Sequence, residues 1–271
     1  LGRVERPVVR LGLGHATGLA LAAGPGRPFL VRASAALFGV SAEDSLAAGA
    51  AIEMIHCYSL VHDDLPDMDN DELRRGKPTV WKAYDPALAI LAGDALLTEA
   101  FALLSDPKTH PDPATRADLI ATLSLGANQM VDGQVLDIEG ETTPLDEDGI
   151  LKMQALKTGA LIRTATEMGA ILGKADNDDR AALLGYGISA GAVFQIADDI
   201  LDVTATSDQL GKTAGKDIAQ NKATIVALSG METARSILDE SIAYGIHCLE
   251  RFGPQADPLR ELIRHFADRK S

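Results

Sequence analysis

Twice in 271 residues an apolar, helix-forming run ends in a dense group of aspartates, and this pattern constrains the chain more than any other feature. The first run passes from Tyr58-Ser-Leu-Val-His62 into Asp63, Asp64, Asp67, Asp69 and Asp71, while Pro66 turns Leu65 away from helical geometry. The helix is therefore expected to end or kink just after Asp63-Asp64, with the later acids on a loop over its end. Carboxylates at this density repel one another unless cations are present. Arg74 and Arg75 follow, two guanidinium groups suited to bidentate phosphate contacts, beside acids suited to magnesium. The combination predicts a site for a metal-bridged diphosphate.

The second group, Phe194-Gln-Ile-Ala-Asp-Asp-Ile-Leu-Asp202, lies within an apolar helical run, and its spacing puts Asp198, Asp199 and Asp202 on one side of a helix. One Asp-rich turn is readily explained as a helix cap or a solvated loop. Two such groups, each followed by basic residues, are much harder to explain that way.

Around them the chain reads as helical. Phe29 to Leu37 and Ala42 to His62 are apolar on most sides, as expected of helices buried in a larger bundle. Proline after an acid or Thr opens further helices: Asp85-Pro86 to about Ser105, Asp112-Pro113 to about Glu139, Thr143-Pro144 through Lys157, and Asp257-Pro258 at the end. Asp176 to Val203 carries the second acid group, and Asn221 to Ser229 and Met231 to Arg251 follow a loop with Lys212, Lys216 and Lys222. Leu11 to Ala23 is weakened as a helix by its glycines. With almost no alternating strand pattern, the expectation is an all-α bundle of ten or more helices, residues 1–271 forming a single domain.

Composition narrows the partners. A formal net charge of -14 argues against nucleic acid or an anionic membrane surface. No apolar run of about 18 residues is free of charges or breakers, and no signal-peptide pattern stands at the N-terminus, so a cytoplasmic protein without membrane insertion is expected. Cys57 and Cys248 lack CxxC spacing, which favours reduced thiols.

The first Asp stretch, Lys157-Thr158-Gly159-Ala160-Leu161, Asp198-Asp-Ile-Leu-Asp202 and Gly211-Lys-Thr-Ala-Gly-Lys-Asp217 together resemble the head-to-tail isoprenyl diphosphate synthases, nearest to the bacterial farnesyl type. The likeness runs from about Arg27 to the C-terminus and leaves residues 1–26 poorly matched. It implies a helical bundle around a central cavity, a homodimer, Mg²⁺, and condensation of isopentenyl diphosphate with an allylic diphosphate. It further implies that the two Asp groups grip the diphosphate from opposite sides. Asp63, Asp64 and Asp69 are then the first metal ligands with Asp67 as an outer candidate, and Asp198, Asp199 and Asp202 are the second set. Arg74, Lys157, Lys212 and, less directly, Lys222 fall to the allylic diphosphate, and Thr158 and Gln195 to the cationic carbon chain. Arg27, His56 and Arg75 fall to isopentenyl diphosphate.

Three departures from the family pattern stand out: Gly24 occupies the place of a lysine, and Asp67 and Asp132 those of small residues. Tyr58 and Ser59 lie about 6–8 Å along the helix axis from Asp63, in the direction a growing chain extends, and bulky Tyr58 favours a fifteen-carbon product. A geranylgeranyl diphosphate synthase, a silent partner subunit and a terpene cyclase are the alternatives. The cyclase is disfavoured by the intact second Asp group and by Arg74-Arg75, the silent subunit by the retention of both Asp groups.

Overall fold

A computed structural model describes residues 26–204 and 224–268 of the chain. Its regular structure is α-helical apart from one small hairpin: α1 (Gly26–Ala36), α2 (Leu46–Asp63), β1 (Leu73–Arg74), β2 (Lys77–Pro78), α3 (Val80–Ala83) and α4 (Pro86–Ser105). There follow α5 (Pro113–Thr142), α6 (Glu147–Gln154), a π-helical turn (Ala155–Gly159), α7 (Ala160–Leu172) and α8 (Asn177–Thr204). Next come α9 (Ile225–Ser229), α10 (Met231–Cys248), a 3₁₀ segment (Glu250–Ala256) and α11 (Asp257–Ala267). The expected all-α class is what the chain adopts.

Local chemistry explains the boundaries. Asp85 caps α4 by accepting from Leu88 N at 2.8 Å, with Pro86 in the first turn where its missing N–H costs nothing. The Pro144 start is corrected: α5 continues to Thr142, and the next helix begins at Glu147 because Asp146 is its cap, accepting from Gly149 N at 2.9 Å. The helix expected to reach Arg251 stops at Cys248, and α2 begins at Leu46, four residues later than Ala42. The helix expected from Asn221 is described from Ile225, where Thr224 caps it by accepting from Ala227 N at 3.2 Å. The Leu11 to Ala23 helix lies outside the described residues.

The chain falls into two compact units, Leu1–Phe29 with Leu46–Ile120, and Leu30–Ser45 with Ala121–Ser271. In the first, α2 packs along α4, burying Ala48, Ala51, Ile52 and Ile55 against Leu88, Ala89, Ala92 and Leu96. In the second, α8 is the spine, flanked by α7, α10, α11 and the π turn. Glycines allow the close approaches there: a Cβ on Gly191 would come within 3.0 Å of Gly159 Cα, and one on Gly187 within 2.9 Å of Arg163 Cα.

No apolar run of about 18 residues is free of charges, α4 carrying Asp94 and Glu99, yet two helices reach the length and mean hydropathy of a membrane span. These are α4 and α8, with mean hydropathies of 1.8 and 1.2, although over half of the α8 window (56%) is buried within the protein. Asp94 and Glu99 are too few to offset the Ala and Leu of α4. Cys57 and Cys248 are free thiols.

Gly133 of α5 and Gly140 one helix stretch later make a paired test of packing. A Cβ on Gly133 would overlap the backbone N of Lys157 and stand 2.6 Å from its Cα, whereas one on Gly140 meets the Leu145 side chain at an ordinary 3.4 Å. Gly133→Ala should destabilise by about 1–3 kcal/mol, and Gly140→Ala should be neutral or stabilise by up to about 1 kcal/mol. Denaturant titration of the two variants checks this; equal effects would contradict the close approach.

Candidate active site

Helix α2 stops where Pro66 requires it, at Asp63, and the chain then folds back over its own end. Asp69 N donates to Asp63 O at 2.9 Å, and Met68 N and Asn70 N both donate to Leu65 O, at 2.9 and 3.0 Å. Asp69 is thereby brought beside Asp63, whereas Asp67 stands exposed at the tip of the loop. Asp64 is buried, and Arg74 meets it with two nitrogens: Nε at 2.9 and 3.0 Å from the two carboxylate oxygens and Nη2 at 2.6 Å. Burial pushes the Asp64 carboxyl up and Arg74 pulls it back down, leaving it above the ordinary range. Burial also works against the Arg74 charge, but Asp64, Asp63 and Asp71 outweigh it and hold the guanidinium more firmly protonated.

The arginine pair owes its geometry to the hairpin between β1 and β2. Arg75 and Gly76 are its two central residues, and both have positive φ, 53° and 72°, the turn whose twist matches a two-residue hairpin. A left-handed arginine is strained, and here the strain places Arg74 and Arg75 in different surroundings. Thr79 Oγ1 and Trp81 Nε1 both donate to Asp71 O, at 2.8 and 2.9 Å, and fasten the hairpin to the acid loop.

Arg75 is electrostatically coupled to Arg27, His56, Glu53 and Cys57. Burial, and then the Arg27, Arg75 and Arg74 guanidiniums, hold the His56 imidazole well below the usual histidine range, so it is neutral near pH 7. Burial pulls the Arg27 pKa down, with Glu53 acting against it, and pushes the Glu53 carboxyl up, with Arg27 and Arg75 acting against that. Burial likewise pushes the Cys57 thiol to about 12, which makes it inert. The buried Arg27 Nε and Glu53 Oε2 have no hydrogen-bond partner, and the open Arg27 N–H suits an anionic ligand. Glu53 escaped the sequence reading; the visible signal was one acid inside an otherwise apolar helix.

Tyr58 is buried, its ring set edge-on to His62 with centroids 5.8 Å apart, and burial raises its hydroxyl pKa. His62 Nε2 in turn lies 3.1 Å from Ile90 O. Ser59 turns its hydroxyl back on the helix, donating to His56 O at 2.9 Å.

In the second unit, Lys157 and Thr158 sit on the π turn, a form frequent at functional sites. Lys157 Nζ is 2.5 Å from Asp137 Oδ2, both side chains about one quarter exposed. Asp199 of α8 is buried and accepts from Gln195 Nε2 at 3.0 Å, while Asp198 and Asp202 are half-buried. Asp132 is exposed. Asp137, on the long α5, and Gln154, at the end of α6 with its Nε2 3.1 Å from Asp199 Oδ2, were missed because isolated polar residues on helices carry no motif of their own. Lys212, Lys222 and Gly24 lie outside the described residues.

Among the described residues no three His, Cys, Asp or Glu side chains already converge as a metal cage. The hard oxygen donors nevertheless suit Mg²⁺, which takes one or two carboxylates, several waters and substrate phosphates rather than an all-protein cage.

Comparison with known proteins agrees with this chemistry. The polyprenyl synthetase family model matches residues 25–250. Farnesyl diphosphate synthase of Micrococcus luteus is 41% identical over 244 residues, 90% of this chain and 84% of the relative. The chloroplastic geranylgeranyl pyrophosphate synthase of Capsicum annuum is 40% identical over 247 residues, 90% of this chain and 67% of the relative. An FPP/GFPP synthase from Zymomonas mobilis, solved without ligands, aligns with a TM-score of 0.85 at 43% identity, covering 98% of this chain and 91% of that one. The chain belongs to the polyprenyl synthetase family. Within it, the protein is an isoprenyl diphosphate synthase, a transferase of prenyl groups.

His56 yields a pH prediction. Unfolded, it takes up a proton near pH 6.5, whereas folded it resists protonation. Between those values the unfolded state binds more protons, so stability falls as the pH is lowered. His56→Gln should lose less stability than the parent between roughly pH 7 and 5.5, measured by denaturant titration; an equal loss would contradict the depressed histidine.

Proposed function

We propose that the protein condenses isopentenyl diphosphate with dimethylallyl and then geranyl diphosphate, releasing pyrophosphate and giving farnesyl diphosphate. The observation that carries the fifteen-carbon reading is Tyr58, a bulky side chain buried on α2 one turn before Asp63. Identity to relatives does not choose, since farnesyl and geranylgeranyl synthases match at 41% and 40%. Geranylgeranyl diphosphate is therefore the second reading.

The hard step is parting diphosphate from an allylic carbocation. The candidate Mg²⁺ ligands are Asp63, Asp64 and Asp69, with Asp67 in an outer role, and the second group Asp198, Asp199 and Asp202; Mg²⁺ when bound would neutralise the leaving diphosphate. Arg74, Lys157, Lys212 and Lys222 add positive charge to the same group. Thr158 and Gln195 lie along the cationic chain. Arg27, neutral His56 and Arg75 hold isopentenyl diphosphate, whose double bond attacks the allylic carbon before a proton is lost from the adduct. The protein is proposed to act as a soluble, cytoplasmic homodimer.

Asp63→Ala and Asp198→Ala should each abolish condensation while leaving the helical fold intact, because removing one carboxylate relieves repulsion in the metal-free protein. Turnover near the parent rate in either variant would contradict the metal role of that group. Arg75→Ala should weaken isopentenyl diphosphate by about ten- to a hundredfold, the loss of one charge-assisted contact of roughly 1.5–3 kcal/mol, and leave the allylic substrate unaffected. Steady-state KM values for both substrates check this; an effect confined to the allylic substrate would reverse the assignment. Tyr58→Ala should open the pocket and shift products towards twenty carbons or more, with stability reduced by a few kcal/mol through the cavity. An unchanged product distribution from the folded variant would mean that Tyr58 is a packing residue and no more.

A further inference from the structure

The two acids of the second Asp-Asp pair are in different chemical situations. Asp198 is half-buried, whereas Asp199 is 3% exposed and its carboxylate is surrounded by donors. Gln195 Nε2 donates to Oδ1 at 3.0 Å, Gln154 Nε2 lies 3.4 Å from Oδ1 and 3.1 Å from Oδ2, and Ile225 N donates to Oδ2 at 3.1 Å. A carboxylate offers about four lone-pair directions, and three protein donors occupy most of them. Turning Asp199 towards a cation would strand a buried backbone N–H and a buried amide without acceptors.

The donors come from three separate segments: Gln195 from α8 itself, Ile225 from the start of α9, and Gln154 from the end of α6. Gln154 is the residue directly before the π turn that carries Lys157 and Thr158, and is itself buried. The turn has little freedom elsewhere, since Gly133 lets the backbone of α5 lie against Lys157 and Gly191 lets α8 lie against Gly159.

We propose that Asp199 is a positioning residue and not a metal ligand: through Gln154 it fixes the π turn and so sets where Lys157 presents its charge. This rests on the proposed function, in which Lys157 acts on the allylic diphosphate. Asp198 and Asp202 are then the acids of this group that meet Mg²⁺.

The test uses the full chain, with Mg²⁺ and inorganic pyrophosphate as probes in calorimetric titration, alongside steady-state kinetics. Asp199→Asn and Gln154→Met should bind Mg²⁺ within about threefold of the parent, whereas Asp198→Asn should bind about tenfold or more weakly. Both positioning variants should lower kcat by about tenfold or more, as misplacement of a positioned group does, with KM for isopentenyl diphosphate unchanged. Should Asp199→Asn not fold, Gln154→Met keeps the other donors to Asp199 and still reports on the turn. Loss of Mg²⁺ affinity in Asp199→Asn equal to that in Asp198→Asn would overturn the proposal. So would parent-like kcat in a folded Gln154→Met. A parent chain that binds Mg²⁺ with pyrophosphate but forms no prenyl product would sink the proposed function alone, with the Mg²⁺ titration still deciding whether Asp199 is a ligand.

Discussion

A carboxylate taken out of water has to be met by donors, and two buried aspartates, Asp64 and Asp199, organise what surrounds them. Asp64 draws the β1–β2 hairpin onto the end of α2 through Arg74. Asp199 gathers the ends of α6 and α9 onto α8. In each Asp-Asp pair the second acid is the buried one, while the first is half-buried. The division follows from helical geometry: neighbours are about 100° apart around the axis, so when one faces the interior the other lies towards its edge.

The same separation of roles applies to the cations. Arg74 is paired with Asp64, whereas Arg75, one residue on, is turned by its left-handed backbone into the surroundings of Arg27 and His56. Two adjacent arginines of identical chemistry thus face different partners because Arg74 ends β1 while Arg75 opens the two-residue turn of the hairpin. Glu53 opposes part of the pooled positive charge of that cluster, and burial of Arg27 carries an electrostatic cost that an anionic ligand at the arginines would relieve.

Much of this was legible in the sequence. Alanine- and leucine-rich runs with Asp-Pro starts located most helices, because capping and periodicity are local properties; α4 begins at Pro86, as read. The end of α2 at Asp63 followed from Pro66. Where two local signals competed, sequence alone failed: Thr143-Pro144 looked like a start, but the Asp146 side chain made the better cap three residues before Gly149. The π turn at Lys157 could not be read at all, and its neighbours in space, Gly133 and Gly191, which allow close contact there, are distant in sequence. The separation of Asp64 from Asp63 and of Asp199 from Asp198 is likewise tertiary: the residue types are identical, and only their partners tell them apart.

The central claim is that these acids and cations serve transfer of a prenyl group ending at fifteen carbons. It is tested most directly by incubating the parent protein with labelled isopentenyl diphosphate, geranyl diphosphate and Mg²⁺, and measuring product length after dephosphorylation. Farnesol as the dominant alcohol, lost when the metal is chelated, is the predicted result. Predominantly twenty-carbon product would contradict the role given to Tyr58, and incorporation unaffected by chelation would contradict the role given to the aspartates.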